Sequence, residues 1–394
     1  MSGSFIDRRS LLAGVAGAIP LAAAAAANAA PNAANAPPKA IGQPLLGNPN
    51  DLPEAKKVNW AVVGLGSFAT GQVMPGFVMS HRSRMTAFVS GNPDKARDLG
   101  ARYGVSKFYD YNNFDSIAQD KDIDAVYIVL PVGLHAEYTI RALKAGKHVL
   151  CEKPMASTPA ECEAMIAAAK AANRQLGVAY RVHFEPNNVD VARRIKAGEL
   201  GQLRYFTGDT GFNADPERWV PHRWRLQKAL AGGGSMYDIG IYAMNAAMMC
   251  MGEDPVEVSA VYSYPHDDPR FKEVEGGVNW RMKFPSGLYA QGSSSYCYAG
   301  GTRQKIYGDT AAIVMEPASD YYQQSVTLMR TGQAPEQLHA GNPIVQFGAQ
   351  VDTFSTAALT NTPHLTPGEM GLRDIRLINA MYRSADQNGA AVKV

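Results

Sequence analysis

Asp238 and Tyr242 stand four residues apart, so on a helix they share one face. A carboxylate and a phenol presented together suit an alcohol substrate: the first positions a hydroxyl and the second moves its proton. The run Gly232-Gly233-Gly234-Ser235 just before them permits a close backbone approach. The same pair could equally cap a helix and fill a core. A third polar candidate is Lys153, within Cys151-Glu152-Lys153-Pro154. A lysine there can hydrogen-bond a substrate hydroxyl and lower the pKa of a neighbouring acid, and Pro154 fixes the turn that aims it. The competing role for Lys153 is a surface ion pair. A fourth feature is Gly64-Leu65-Gly66-Ser67-Phe68-Ala69, a G-x-G-x-x-A run. Its first glycine allows a tight turn, its second lets backbone approach a pyrophosphate, and Ala69 lets helix and strand pack closely.

These residues need elements to place them. Val58–Val63 is an apolar run of strand length that leads into the glycine loop and then a helix. Strands are expected at Met85–Val89, Lys107–Tyr109, Ala125–Leu130 and His148–Cys151, with helices at Asp94–Tyr103 and His135–Ala145 between them. Such alternation means a doubly wound parallel sheet with right-handed crossovers, and Lys153 then stands at its C-terminal edge, where open α/β sheets hold ligands. From about Gly201 the rhythm changes. Strands at Leu203–Asp209, Val256–Tyr264, Gly277–Phe284, Leu288–Ser295, Arg303–Gly308 and Ala312–Glu316 predict a mostly antiparallel open sheet with helices on one face. Helices near Gln346–Leu359 and Pro367–Gln387 close the chain, and the last can pack back on the first domain. The fold class is therefore α/β plus α+β. An N-terminal Rossmann domain spans 58–180 and a substrate and oligomerisation domain spans 181–394.

The end of the second strand selects the cofactor. NAD sites usually carry an acid there for the ribose hydroxyls. This chain has Ser90 instead, with Lys95 able to pair a phosphate, which favours NADP. The alternative is that Asp94 supplies the missing acid and Lys95 is merely solvated. Outside the two domains, Arg8 and Arg9 precede an Ala-rich apolar run and the small-residue site Ala27-Asn28-Ala29, the layout of a twin-arginine export signal over residues 1–29. Residues 30–57 are Pro-rich and form either a linker or an arm that packs on a neighbouring subunit. A formal net charge of +2 gives no reason to invoke nucleic acid. The four cysteines form no C-x-x-C pair, and a core of this size needs no disulfide.

The fingerprint, the Glu152-Lys153-Pro154 turn and the Gly-Gly-Gly-Ser-x-x-Asp-x-Gly-x-Tyr segment, in this order and on this domain plan, resemble the Gfo/Idh/MocA oxidoreductases, in particular their glucose–fructose oxidoreductase branch. Ala179-Tyr180-Arg181-x-His183 and Trp224-Arg225-Leu226 extend the likeness, as does Tyr242 where much of the family has His. The resemblance implies a tightly held NADP, an aldose oxidised at C1 to a lactone, and a second sugar reduced by the same cofactor. It implies that Lys153 is the catalytic lysine, Asp238 the carboxylate that orients the sugar, and Tyr242 the acid/base. It implies that Gly64, Gly66, Ser67, Phe68, Ser90, Lys95, Glu152, Lys153 and Arg181 bind the cofactor. Lys153, Tyr180, Asp238 and Tyr242 then face the sugar, with Arg181 also on that pocket's wall. No metal is expected. The partners are small sugars and further copies of the chain, as a dimer or tetramer, in the periplasm, with no stable membrane association once the signal is cleaved. An ordinary NADP-dependent aldose dehydrogenase and a non-catalytic sugar-binding protein are the alternatives.

Overall fold

The computed structural model describes residues 56–215 and 220–394. The export signal and all but the last two residues of the Pro-rich arm lie outside the described residues. Six strands, β1 (Val58–Val63), β2 (Ser83–Val89), β3 (Lys107–Tyr109), β4 (Ala125–Ile128), β5 (His148–Glu152) and β6 (Leu176–Ala179), form one sheet in the order β3-β2-β1-β4-β5-β6. All its pairs are parallel. β4 is buried along its whole length, as a central parallel strand covered on both faces must be. The strand order reverses beside β1, so the loops after β1 and β4 diverge and leave a crevice between them. Local signals set the surrounding helices. Asn92 caps α1 (Pro93–Tyr103) by accepting from Lys95 N–H at 3.0 Å, and Gly104 ends it at φ +72°. α2 (His135–Lys144) follows β4, and α3 (Pro159–Ala172) opens on a capping box between Thr158 and Glu161.

The second sheet contains β7 (Leu203–Gly211), β8 (Glu257–Tyr262), β9 (Gly277–Lys283), β10 (Tyr289–Ser295), β11 (Gly301–Gly308), β12 (Ala311–Met315), β13 (Val326–Arg330), β14 (Glu336–Leu338) and β15 (Val392–Lys393). Its order is β14-β13-β12-β11-β7-β10-β9-β8-β15. It is antiparallel except where β7 pairs with β10. Buried residues alternate along β7 at Phe206, Gly208 and Thr210, and this face packs on α4 (Ile241–Met251). Gly208 is needed there, because a Cβ would lie 3.1 Å from that of Ala243 and 2.9 Å from the Phe206 ring. β13, β14 and β15 were not expected. Each sits at or beside one of the sheet's edges, and β14 and β15, of three and two residues, are too short to show an alternating pattern.

The last two helices tie the sheets together. α5 (Gln346–Thr360) packs on the first sheet, where Trp60 Nε1 donates to Ser355 Oγ at 3.1 Å and the Phe354 ring lies 5.2 Å from that of Trp60. Asp352 on α5 accepts from the backbone N–H groups of His81 at 2.8 Å and Arg82 at 2.9 Å, and from the hydroxyls of Ser80 and Ser83. α6 (Gly368–Asp386) starts beside β6 and reaches β8, where Ser384 Oγ accepts from Ala260 N–H at 2.9 Å. The first sheet is thus completed by helices encoded at the far end of the chain.

Candidate active site

The glycine loop leaves β1 at the crevice. Gly64 has φ +91°, and a Cβ there would lie 2.3 Å from Val129 O, so only glycine fits. A Cβ at Gly66, by contrast, would meet nothing within 4 Å. Gly66 and Ser67 are exposed and Ala69 is buried against the sheet. The loop therefore presents bare backbone to open space, as a pyrophosphate requires. At the end of β2, Ser90 is buried and its hydroxyl accepts from Asn92 N–H at 3.1 Å. Asp94 is turned outward and pairs with Arg97. Burial holds the Lys95 ammonium below its ordinary range. Among the described residues no carboxylate pairs with it, which leaves it available to an anion.

Lys153, Asp238 and Tyr242 come together. Lys153 follows β5, and its peptide bond to Pro154 is cis. His135 at the start of α2 braces this turn: its ring nitrogens lie 2.8 Å from Leu130 O and 2.8 Å from Pro154 O, joining the ends of β4 and β5. Asp238 lies in a π-type turn, Met236–Gly240, that runs directly into α4, whose second residue is Tyr242. Lys153 Nζ donates to Asp238 O at 2.5 Å, approaches Asp238 Oδ1 at 3.7 Å, and lies 4.7 Å from the centroid of the Tyr242 ring. The three groups border one space, and the Lys153 and Asp238 side chains keep 11% and 21% of their surface exposed.

The arrangement fixes charges. Burial pushes the Asp238 carboxyl up, but Arg225, Lys153 and Tyr296 outweigh it and hold the group below the usual carboxylate range. Arg225 Nε donates to Asp238 Oδ2 at 3.1 Å and Tyr296 O–H donates to the same oxygen at 2.9 Å. Asp238 is thus an ionised acceptor held from one side. Glu152 behaves oppositely. Burial pushes its carboxyl up to about 7, although Tyr127 O–H donates to it at 2.7 Å and the Lys153 ammonium favours its charge. Gln350 Nε2 donates in turn to the Tyr127 oxygen at 2.9 Å, so Glu152 is anchored inward and reaches the site through the backbone of Lys153.

Several residues of this shell escaped the sequence reading. Arg225 was noted only as part of a motif, and Tyr296 and Glu275 carry no local signal. Glu275 accepts from Gly234 N–H at 2.7 Å and Met236 N–H at 2.9 Å, clamping the glycine run that presents Asp238. A Cβ at Gly234 would lie 1.9 Å from Glu275 O, which explains that glycine. Tyr321 and Phe347 pack on Phe68 of the fingerprint loop, with ring centroids 6.1 Å and 5.9 Å away. Arg181 stands against Tyr242 and against Tyr321, which packs on Phe68 of the fingerprint loop. Tyr180 does not join them. It is 1% exposed, its hydroxyl has no open surface, and burial together with Asp374 pushes its phenol well above the ordinary range. Tyr180, expected to face the sugar, is thus enclosed by protein and does not border the space shared by Lys153, Asp238 and Tyr242. The four cysteines are unpaired.

Comparison with known proteins agrees with this plan. Residues 58–180 match the model of an oxidoreductase family with an NAD-binding Rossmann fold, and residues 189–314 match a GFO/IDH/MocA C-terminal domain. The crystal structure of an aldose–aldose oxidoreductase from Caulobacter crescentus, complexed with glycerol, is 41% identical. It superposes with a TM-score of 0.81 over 86% of this chain and 100% of that one. A 3-ketoreductase from Actinomadura kijaniata, crystallised with NADP, is 27% identical with a TM-score of 0.73, over 83% of this chain and 98% of that one. An NADP-dependent D-xylose 1-dehydrogenase of Haloarcula marismortui is 29% identical over 84% of this chain and 91% of its own.

Proposed function

The chain belongs to the Gfo/Idh/MocA family and is a nicotinamide-dependent sugar oxidoreductase, and from that premise we propose that it runs a closed two-sugar cycle on a tightly held NADP. One aldose is oxidised at C1 to its lactone, and a second sugar is reduced to an alditol in the same site. The observation that carries this reading is the convergence of Lys153, Asp238 and Tyr242 beside the fingerprint loop. The likeness to an aldose–aldose oxidoreductase supports the choice of sugars.

Gly64, Gly66, Ser67 and Phe68 would hold the pyrophosphate end, and Ser90 and Lys95 a 2′-phosphate. Bound NADP supplies a hydride acceptor in one half-cycle and a hydride donor in the other. Asp238, kept ionised, accepts a hydrogen bond from a sugar hydroxyl and fixes the ring. Lys153 donates a hydrogen bond to the anomeric oxygen. Tyr242, as the phenolate, takes the proton of the anomeric hydroxyl as the C1–H bond breaks with its electron pair and the C1–O double bond forms. When a second carbonyl sugar enters, Tyr242 returns that proton to the oxygen being reduced. One face of the phenol thus serves both directions.

The proposed export signal bears on this choice. A folded protein delivered beyond the cytoplasm meets no ready pool of NADP, so a cofactor loaded before export must be regenerated within the site. We also propose that the outer face of the second sheet joins copies of the chain, as an open sheet with helices on one side requires. A dehydrogenase that releases its cofactor is the rival reading, favoured by the D-xylose 1-dehydrogenase relative. Mixing purified protein with paired sugars and no added cofactor separates the two: the closed cycle yields both products, the rival yields neither.

A further inference from the structure

Arg181 follows β6 and is 4% exposed. Its guanidinium donates four hydrogen bonds within the protein. One terminal nitrogen donates to Ser319 O at 2.5 Å; the other donates to Asp320 O at 3.1 Å and to Gln346 Oε1 at 2.6 Å. Nε donates to the Tyr242 hydroxyl oxygen at 3.3 Å. The plane lies between two rings, 4.8 Å from the centroid of Tyr242 and 4.4 Å from that of Tyr321. All four acceptors are neutral, and among the described residues no carboxylate forms an ion pair with Arg181. The charge of the Glu152 carboxylate reaches it without a direct contact, and a buried cation hydrogen-bonded only to neutral groups is costly. Its cost is explained if an anion forms beside it during turnover, where the low dielectric strengthens the attraction.

We infer that Arg181, more than Lys153, is the positioning residue that favours the tyrosinate of Tyr242 and directs the phenol's proton toward the sugar. Lys153 Nζ is turned to the carbonyl of Asp238 and meets Tyr242 through its ring face. Arg181 instead donates to the oxygen that must carry the charge. With Nε–H on that oxygen, the hydroxyl hydrogen of the neutral phenol points elsewhere, and the open side is the space bordered by Lys153 and Asp238. Loss of this hydrogen leaves a phenolate paired with a guanidinium that cannot itself release a proton. Ser319, Asp320 and Tyr321 follow β12, and Gln346 opens α5, so the second domain and the last helices tune a group on α4. This inference rests on the proposed aldose oxidation.

The charged and titratable groups facing Tyr242 are Arg181, Lys153, Asp238, Glu152, Tyr127 and Tyr321. The test is the pH dependence of the oxidation half-reaction, followed in a single turnover by the near-ultraviolet absorbance of reduced nicotinamide on the loaded enzyme. In R181M the acidic limb moves up by about one pH unit or more, and the rate at neutral pH falls about tenfold or more. R181K, which keeps the charge without the fork, lies between wild type and R181M. Adding R181M to Y242F lowers the rate by no more than about twofold, because the residue through which Arg181 acts is gone. If R181M does not fold, as judged by cofactor retention and thermal unfolding, Q346A removes one anchor and moves the limb the same way by less. An unmoved limb in R181M or Q346A, or a full additional loss in the Y242F background, overturns the inference. So does a limb abolished by E152Q alone, since the titration would then belong to Glu152. A wild-type protein that oxidises no aldose refutes the functional reading itself.

Discussion

At the scale of single residues the site is a set of opposed charges with one mobile proton. Asp238 is held ionised by Arg225, Lys153 and Tyr296, and Tyr242 lies between the Lys153 ammonium and the Arg181 guanidinium. Replacing Tyr242 by phenylalanine leaves cofactor retention unchanged and lowers turnover by roughly 10²–10⁴, the usual worth of positioned acid–base help. Steady-state rates on the loaded enzyme check this, and turnover within twofold of wild type contradicts it. Glu152 makes a separate prediction. Its carboxyl is pushed up to about 7 in the folded state by burial, from an ordinary value of 4.5. Below about pH 4.5 both states hold the proton and the effect vanishes. As pH rises from there to about 7 the unfolded chain releases its proton first, so stability falls. E152Q removes that fall and recovers on the order of 3 kcal/mol above about pH 7. Denaturant unfolding across pH measures it, and parallel curves for the two proteins would count against it. Much of this residue-level picture was legible in sequence: Lys153, Asp238 and Tyr242 carry their spacing and their neighbouring glycines with them. Arg225, Tyr296, Glu275 and Gln346 were not, because each reaches the site through tertiary packing from a segment whose local pattern says nothing of it. Tyr180 shows the converse, a motif residue that packing encloses. It adjoins Arg181 in sequence, but the turn after β6 sends the two side chains to different surroundings.

At the scale of elements, every strand and helix expected in the first domain is present, while β6 and α3 were not foreseen although β6 is buried along its whole length. What the sequence could not show is that α5, more than 150 residues beyond β6, completes that domain. Nothing local in Gln346–Thr360 names the surface it covers. Asp352 is the hinge pin of this packing, since one carboxylate satisfies donors of four consecutive residues, Ser80 to Ser83. Asp352→Ala leaves two backbone N–H groups and two hydroxyls to find other partners, at a cost of about 2–3 kcal/mol. A thermal midpoint lowered by several degrees with the far-ultraviolet spectrum unchanged is the expected outcome, and an unshifted midpoint contradicts the clamp. Because α5 also carries Gln346 and Gln350, this packing holds both the Arg181 fork and the Tyr127–Glu152 pair in place.

At the scale of the whole molecule, two sheets meet at a crevice that holds a backbone loop fit for a dinucleotide on one side and an ionised carboxylate, a lysine and a phenol on the other. In the proposed reading Ser90 and Lys95 take a 2′-phosphate, and Phe68 of the fingerprint loop packs on Tyr321 and Phe347. Retention of NADP and its regeneration in place are what the proposed cycle requires of this crevice. The direct measurement is product analysis after incubating the purified protein with two sugars and no added cofactor. A closed cycle yields aldonolactone (or the acid it hydrolyses to) and alditol in equal amounts over many turnovers. No product until NADP is added, with reduced NADP then accumulating in step with the lactone, would contradict it.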